Sequence, residues 1–330
     1  MNIENTYFGE EIGWLPIIQL GYASFNQACL SHSTSSLQAS PESRNVSNNS
    51  EDESPKRATD STGKRLYSGA HIGIRFLIKH SQVLNGKSVC ELGCGIGAFG
   101  LVSNLTGNMS TLILTDAEES TLQICRENAL QLSQLVPQNN RKNDLHVSST
   151  NIYCELLNWN DSSSIYSDLL LRANNGKLVN IVIGCELMYY RTDVKALVSA
   201  VMRLVEPENG LFVHSHLFRR CGQAEELIHH LAQYDWISYE ASHRSFISEE
   251  ELMEHPEWYR VRQLVSGPRL GAALQEWKAQ NSDWVVFSAD KDDDENDYGG
   301  SNSGADENDS AGQDDGFSFH SLFRTRATLS

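Results

Sequence analysis

Val89-Cys90-Glu91-Leu92-Gly93-Cys94-Gly95-Ile96-Gly97-Ala98-Phe99-Gly100 decides the reading of this chain. Residues 88–92 form a short apolar run of the kind a buried strand needs, and 98–105 carry helical spacing. Between them three glycines fall at alternate positions. Glycine lets the backbone turn left-handed and come close to a ligand, so strand, glycine loop and helix in this order suit a nucleoside-binding turn. The motif alone is weak, because a purely structural turn or a dinucleotide loop with Ala98 in the third small position would read the same.

Working outward, residues 72–80 read as a helix with Ile74, Leu77 and Ile78 on one face. After the loop come a strand at 111–115, a helix at 121–132, and strands at 145–154 and 179–184. A helix follows on the spacing of Val194, Leu197, Val198, Val201, Leu204 and Val205. A strand at 210–215, a helix at 223–233 and a strand at 236–240 complete the alternation. Strands separated by helices of this length predict an α/β fold with a doubly wound, mostly parallel sheet. Such sheets bind ligands beyond the carboxyl ends of their strands, so the loops there hold the candidate residues.

At the first strand end, Glu91 would repel a pyrophosphate and attract a cation, which favours S-adenosylmethionine, with its sulfonium and ammonium groups, over NAD. At the second, Asp116 can accept both hydroxyls of a ribose, a task common to either cofactor, or it can cap the next helix. After the third strand, Leu157-Asn158-Trp159-Asn160-Asp161 offers Trp159 for stacking on adenine, with Asn158 or Asn160 at the purine edge; ordinary loop packing is the plainer reading. At the fourth, Gly184 and Cys185 are small and leave room for a ligand, and Glu186 and Tyr189 project over the place of reaction, unless the one only forms an ion pair and the other only covers the core. His214 and His216 share a strand face but have no carboxylate or cysteine to complete a metal site, so they are read as packing.

These four motifs, in this order, resemble the family 16 methyltransferases, class I S-adenosylmethionine-dependent enzymes that mostly methylate lysine side chains of proteins. The resemblance runs from about 62 to 240. It covers Thr62-Gly63-Lys64-Arg65-Leu66-Tyr67-Ser68-Gly69-Ala70, with Tyr67 where the family usually has tryptophan, the 89–97 loop, Leu114-Thr115-Asp116, Asn128, and Leu157-Asn158-Trp159. The family's Asp-x-x-Tyr stands here as Glu186-Leu187-Met188-Tyr189. The resemblance implies a seven-stranded Rossmann-like sheet and S-adenosylmethionine as cofactor, bound by Tyr67, Glu91, Gly93, Cys94, Gly95, Asp116, Trp159 and Cys185. It also implies in-line methyl transfer to a lysine of a protein substrate, with Glu186 and Tyr189 orienting the amine, and no metal.

Composition sets the limits. The chain has 330 residues and a formal charge of −17. Eleven acids against Lys291 between 290 and 316 account for −10 of it. A nucleic-acid partner is disfavoured by that balance, whereas a basic protein substrate would be drawn to it, an attraction that salt weakens. No apolar run reaches the ~20 residues of a membrane span, and no signal sequence is visible. Seven scattered cysteines without a Cys-x-x-Cys pair point to the cytoplasm or nucleus. The expected organisation is an N-terminal extension at 1–30 packing on the body, a disordered linker at 31–62 and a methyltransferase domain at 63–288. Within that domain 245–283 reads as an aromatic insertion over the substrate side, with short helices at 248–262 and 270–278 and a strand at 284–287. An acidic disordered loop at 289–316 and a last strand and tail at 317–330 follow. The whole is expected as a monomer. The rival readings are a non-catalytic binding module for a basic partner and an NAD-dependent oxidoreductase, the second opposed by Glu91.

Overall fold

A computed structural model describes residues 2–7, 14–19, 62–135 and 150–288. All lie in the unit Met1–Ala289. The expected linker at 31–62, apart from Thr62, the acidic stretch at 289–316 and the expected last strand at 317–330 fall outside the described residues.

The N-terminal extension supplies β1 (Asn2–Tyr7) and β2 (Trp14–Gln19), an antiparallel pair in which Tyr7 faces Trp14. After a short turn at Thr62–Lys64 the body runs α1 (Ser68–Lys79), β3 (Ser88–Glu91), α2 (Ala98–Gly107), β4 (Thr111–Asp116), α3 (Glu119–Leu135) and β5 (Asn151–Leu156). It continues through α4 (Ser163–Asn174), β6 (Ile181–Cys185), α5 (Val194–Leu204), β7 (Leu211–His216), α6 (Gln223–Ala232) and β8 (Trp236–Ala241). The last described elements are α7 (Glu249–Glu254), β9 (Arg262–Pro268), α8 (Ala272–Gln280) and β10 (Val285–Val286). β2 lies alongside α3.

Among the described residues eight strands make the main sheet, in the order β10-β8-β9-β7-β6-β3-β4-β5. The five from β7 to β5 are parallel. Period-two burial builds a core on each face of them. Val89, Leu112, Leu114, Ile181, Ile183, Leu211 and Val213 meet α1, α2, α3 and α8. Cys90, Ile113, Val182 and Phe212 meet α4, α5 and α6. The chain moves outward from β3 to β4 and β5, then crosses back to place β6 on the other side of β3. The sheet therefore has its switch point between β3 and β6, where the loops diverge and open a crevice.

The sheet departs from the sequence reading: eight of its strands are described, and β9, which lies inside the segment expected as an insertion, sits between β7 and β8 and runs antiparallel to both. Hydropathy hides it because it carries Gln263 and Ser266, both wholly buried. Their polar atoms are met across the sheet: the Ser215 hydroxyl donates to Gln263 Oε1 at 2.6 Å, and Ser266 Oγ lies 2.9 Å from His214 Nε2 and 2.7 Å from Ser238 Oγ. Satisfied in this way, a polar residue costs little to bury. Pro256 is the second reason. It ends the expected helix at 248–262 after α7 and opens the turn Pro256–Arg260.

Trp258, Trp277 and Trp284 are buried and serve packing. Trp277 and Trp284 lie 5.5 and 5.8 Å from Phe76 of α1, ring centre to ring centre. Trp258 joins Ile72, Ile247, Leu252 and Val261 in a third small cluster on α1. There Arg75 lies 4.7 Å over the Trp258 ring and pairs with Glu251 at 2.9 Å. Among the described residues no helix is long and apolar enough to cross a membrane, and none of their His, Cys, Asp and Glu groups could hold a metal.

His216 is wholly buried at the end of β7, and neither of its ring nitrogens has a protein hydrogen-bond partner. Burial, with Arg219 nearby, lowers its pKa to about 3. The unfolded chain takes up this proton near pH 6.5 and the folded chain does not, so stability present above pH 6.5 is lost as pH falls toward 3. His216→Leu removes both the unpaired polar atoms and the proton linkage. Thermal melts should show a gain of roughly 1–2 kcal/mol at pH 8 and a larger gain at pH 5; a gain independent of pH would contradict the assignment.

Candidate active site

The glycine loop leaves β3 at the switch point and enters α2. Its backbone is anchored to both neighbouring strands: Leu92 N–H donates to Ile183 C=O at 3.0 Å, and Cys94 N–H donates to Thr115 C=O at 2.8 Å. Asn128 of α3, also buried, donates to Ile96 C=O at 2.9 Å, which gives that residue a positioning role. Gly95 adopts φ +55°. A Cβ there would also stand 2.6 Å from the carbonyl oxygen of Gly63, so the turn at 62–64 lies directly on the loop. A Cβ on Gly93, likewise at positive φ, would meet Leu187 at 2.7 Å and the edge of the Trp159 ring at 3.7 Å. The bare backbone of the loop is thus surrounded by Gly63, Trp159 and Leu187, each from a different segment.

Asp116 closes the end of β4. One carboxylate oxygen accepts Gly95 N–H at 2.9 Å and the other accepts Glu118 N–H at 3.0 Å. Burial pushes its carboxyl above the ordinary value, against the lowering effect of those two amides. It therefore holds the glycine loop as well as presenting acceptors at the strand end.

Glu91 is placed differently from the sequence reading. It is 1% exposed, and its Oε2 accepts Gly100 N–H in the first turn of α2 at 2.9 Å. Burial pushes its carboxyl well above the ordinary range. The side chain lies beneath the loop as a cap on α2, where a helix N-terminus favours it, and does not reach out to a cationic ligand. Cys94 is buried with its Sγ 4.0 Å from that of Cys125, and burial pushes its thiol up to about 12. It contributes its backbone to the loop.

Trp159 is half-buried, and its carbonyl accepts the Tyr166 hydroxyl at 3.1 Å. The Asn158 side-chain oxygen serves the local turn, where it accepts Asn160 N–H at 3.0 Å. Tyr67 caps the start of α1 through its carbonyl, which accepts Ala70 N–H at 2.9 Å, and its side chain is 37% exposed.

At the end of β6, Cys185 is half-buried and burial pushes its thiol well up. The room expected beside Gly184 is taken by the chain itself, because a Cβ there would stand 2.5 Å from Leu187. Glu186 has φ +52°, a left-handed conformation uncommon in a residue with a side chain. Its side chain is nearly buried: Oε1 accepts Gly69 N–H of α1 at 3.0 Å, and Oε2 accepts from Arg219 at 2.6 Å. Tyr189 is 43% exposed on the same loop, whose backbone is held by Thr192 Oγ1, an acceptor for Tyr189 N–H at 3.0 Å. Sequence reasoning did not single out Gly63, Leu187, Arg219 or Gln223. Gln223 is wholly buried, and its amide binds the N–H groups of Arg219 and Arg220 and the carbonyl of Tyr189. Gly63 and Leu187 lie within quoted motifs, whereas Arg219 and Gln223 lie outside them.

The model of a family described as lysine methyltransferase, methyltransferase family 16, matches residues 52–233. The chain belongs to this family. Its cofactor is S-adenosylmethionine. The site fits that molecule: loop backbone bared by Gly93 and Gly95 for close approach, a carboxylate at the end of β4 for hydroxyls, and the Trp159 ring beside the loop for an adenine. Among solved structures, a candidate sam-dependent methyltransferase from Streptococcus mutans aligns at 12% identity over 58% of this chain, with TM-score 0.37. The chain spans about half of that protein, 47%. Magnesium protoporphyrin IX methyltransferase from Synechocystis, with bound SAH, aligns at 13% identity over 60% of this chain and 85% of its own, TM-score 0.38. An S-adenosylmethionine-dependent methyltransferase from Mesorhizobium loti aligns at 13% identity over 57% of this chain and 94% of its own, TM-score 0.37. No curated protein matches the chain.

Gly95→Ala tests the loop. The added methyl meets a backbone carbonyl and not a pliable side chain, and φ +55° is strained for alanine. The expected outcome is a destabilisation of roughly 1–3 kcal/mol and at least a tenfold loss of S-adenosylhomocysteine affinity by calorimetry; unchanged affinity would remove the loop from the cofactor site.

Proposed function

We propose that this protein transfers a methyl group from S-adenosylmethionine to a lysine side chain of a protein substrate, by in-line displacement. The observation that carries the reading is the junction, at one switch point, of a bare glycine loop held by Asp116 and an exposed Tyr189 on the loop after β6. The cofactor, when bound, supplies an activated methyl group on its sulfonium. What remains for the chain is positioning, which is worth several orders of magnitude in rate. The attacking amine must be neutral, and desolvation beside half-buried Cys185 favours that form of a lysine. Tyr189 lines its approach and orients it. Glu186 acts through its neighbours, since both of its oxygens are already engaged.

The substrate we infer is a basic protein, attracted by the acidic stretch at 290–316. In this reading the enzyme is a monomer of the cytoplasm or nucleus, with neither membrane nor nucleic acid as partner.

Incubating the protein with methyl-labelled cofactor and a cell lysate, then identifying the labelled residue by mass spectrometry, tests the reading. Label on lysine is expected. Label on histidine would change the acceptor, and tight cofactor binding without label would favour a non-catalytic binding module. Tyr189→Ala should lower kcat/KM for the acceptor by at least about tenfold while cofactor affinity stays within threefold.

A further inference from the structure

We propose that Arg219 is a positioning residue for the acceptor side of this site, clamping Glu186 and the loop that carries Tyr189. The inference rests on the methyl-transfer reading for its kinetic arm only. Arg219 lies between β7 and α6, and no motif of the family resemblance includes it. Its Nη2 donates to Glu186 Oε2 at 2.6 Å, and its Nη1 lies 3.3 Å from the carbonyl oxygens of both Met188 and Leu217. One guanidinium thus spans the loop after β6 and the loop after β7. Its own N–H donates to Gln223 Oε1 at 3.0 Å, and Gln223 Nε2 returns to Tyr189 C=O at 2.9 Å. The ring Arg219–Met188–Tyr189–Gln223 is closed by hydrogen bonds at each side of Tyr189.

The pair is well shielded: the Glu186 side chain is 8% exposed and that of Arg219 25%. Removing one partner of such a pair leaves the other uncompensated, so each is needed for the other. The clamp also explains how a residue with a side chain is held at φ +52°, since Glu186 is pinned at Oε1 by α1, at Oε2 by Arg219, and through its N–H by Ser215 C=O at 2.8 Å. A second consequence follows from charge. A bare carboxylate beside the acceptor would hold a lysine as its ammonium, which has no lone pair to attack with. Arg219 neutralises Glu186 from the protein side, and the planar head of arginine meets its three acceptors from two separate nitrogens, a spread that the single ammonium nitrogen of lysine reproduces only in part.

The test uses the full chain with Arg219→Met, Arg219→Lys, Glu186→Gln and the Arg219→Met/Glu186→Gln pair. Acceptor kinetics should show kcat/KM down at least tenfold in Arg219→Met and partly restored in Arg219→Lys. S-adenosylhomocysteine affinity should stay within threefold, because the Glu186–Gly69 bond near the cofactor loop is kept. Melting temperatures of the four variants, measured with S-adenosylhomocysteine bound, form a cycle that needs no turnover, and the double variant should lose no more than the worse single one. Additive losses in that cycle would overturn the clamp. So would acceptor kinetics in Arg219→Met equal to the wild type, or cofactor affinity falling in step with turnover. A wild type that binds cofactor yet labels nothing would defeat the methyl-transfer reading, while the melting cycle would still decide the clamp.

Discussion

Gly95 admits no side chain, and the rest of the site is built around that constraint. Its left-handed backbone lets the carbonyl of Gly63 rest where a Cβ would stand, and its N–H is turned toward Asp116. Through these two contacts the segment leading into α1 and the end of β4 are tied to one loop. The sheet supplies the location, because only where β3 and β6 send their connections apart does a loop have an open crevice above it. Glu91 supports the arrangement from beneath by engaging the first turn of α2.

The acceptor side rests on a different principle. Glu186 carries charge into a nearly buried position, which is costly unless the charge is paired and hydrogen-bonded. Gly69 and Arg219 meet both requirements. In doing so they couple α1, the loop after β6 and the loop after β7, the three segments that frame Tyr189. In the proposed reading, a carboxylate expected to orient the acceptor amine becomes the centre of the scaffold that holds Tyr189.

Much of this was legible in linear form. Strands at 88–92, 111–115 and 179–184 announce themselves because parallel strands covered on both faces are nearly continuous runs of apolar residues. Asp116, Trp159 and Tyr189 drew the eye as candidates because polar or bulky residues just after such runs stand out. β9 was hidden because its buried Gln263 and Ser266 find partners only on β7 and β8, strands from elsewhere in the chain. Helix α4 was unread for a related reason: its first turn, Ser163-Ser164-Ile165, looks like loop, and only Tyr166, Leu169, Leu170 and Ala173 are buried.

Taken alone, the amino-acid order determined the α/β alternation, the glycine loop, and the set of residues gathered at the strand ends, since each depends on periodicity or spacing within a few residues. It also determined the family, whose motifs are local. Tertiary structure alone decided which side chains are free to act. Glu91 and Glu186 are both acids at strand ends, alike in sequence. One is buried under a helix and the other paired with Arg219, 33 residues away. Burial and hydrogen-bond partnership are set by residues distant in the chain, and no spacing rule records them.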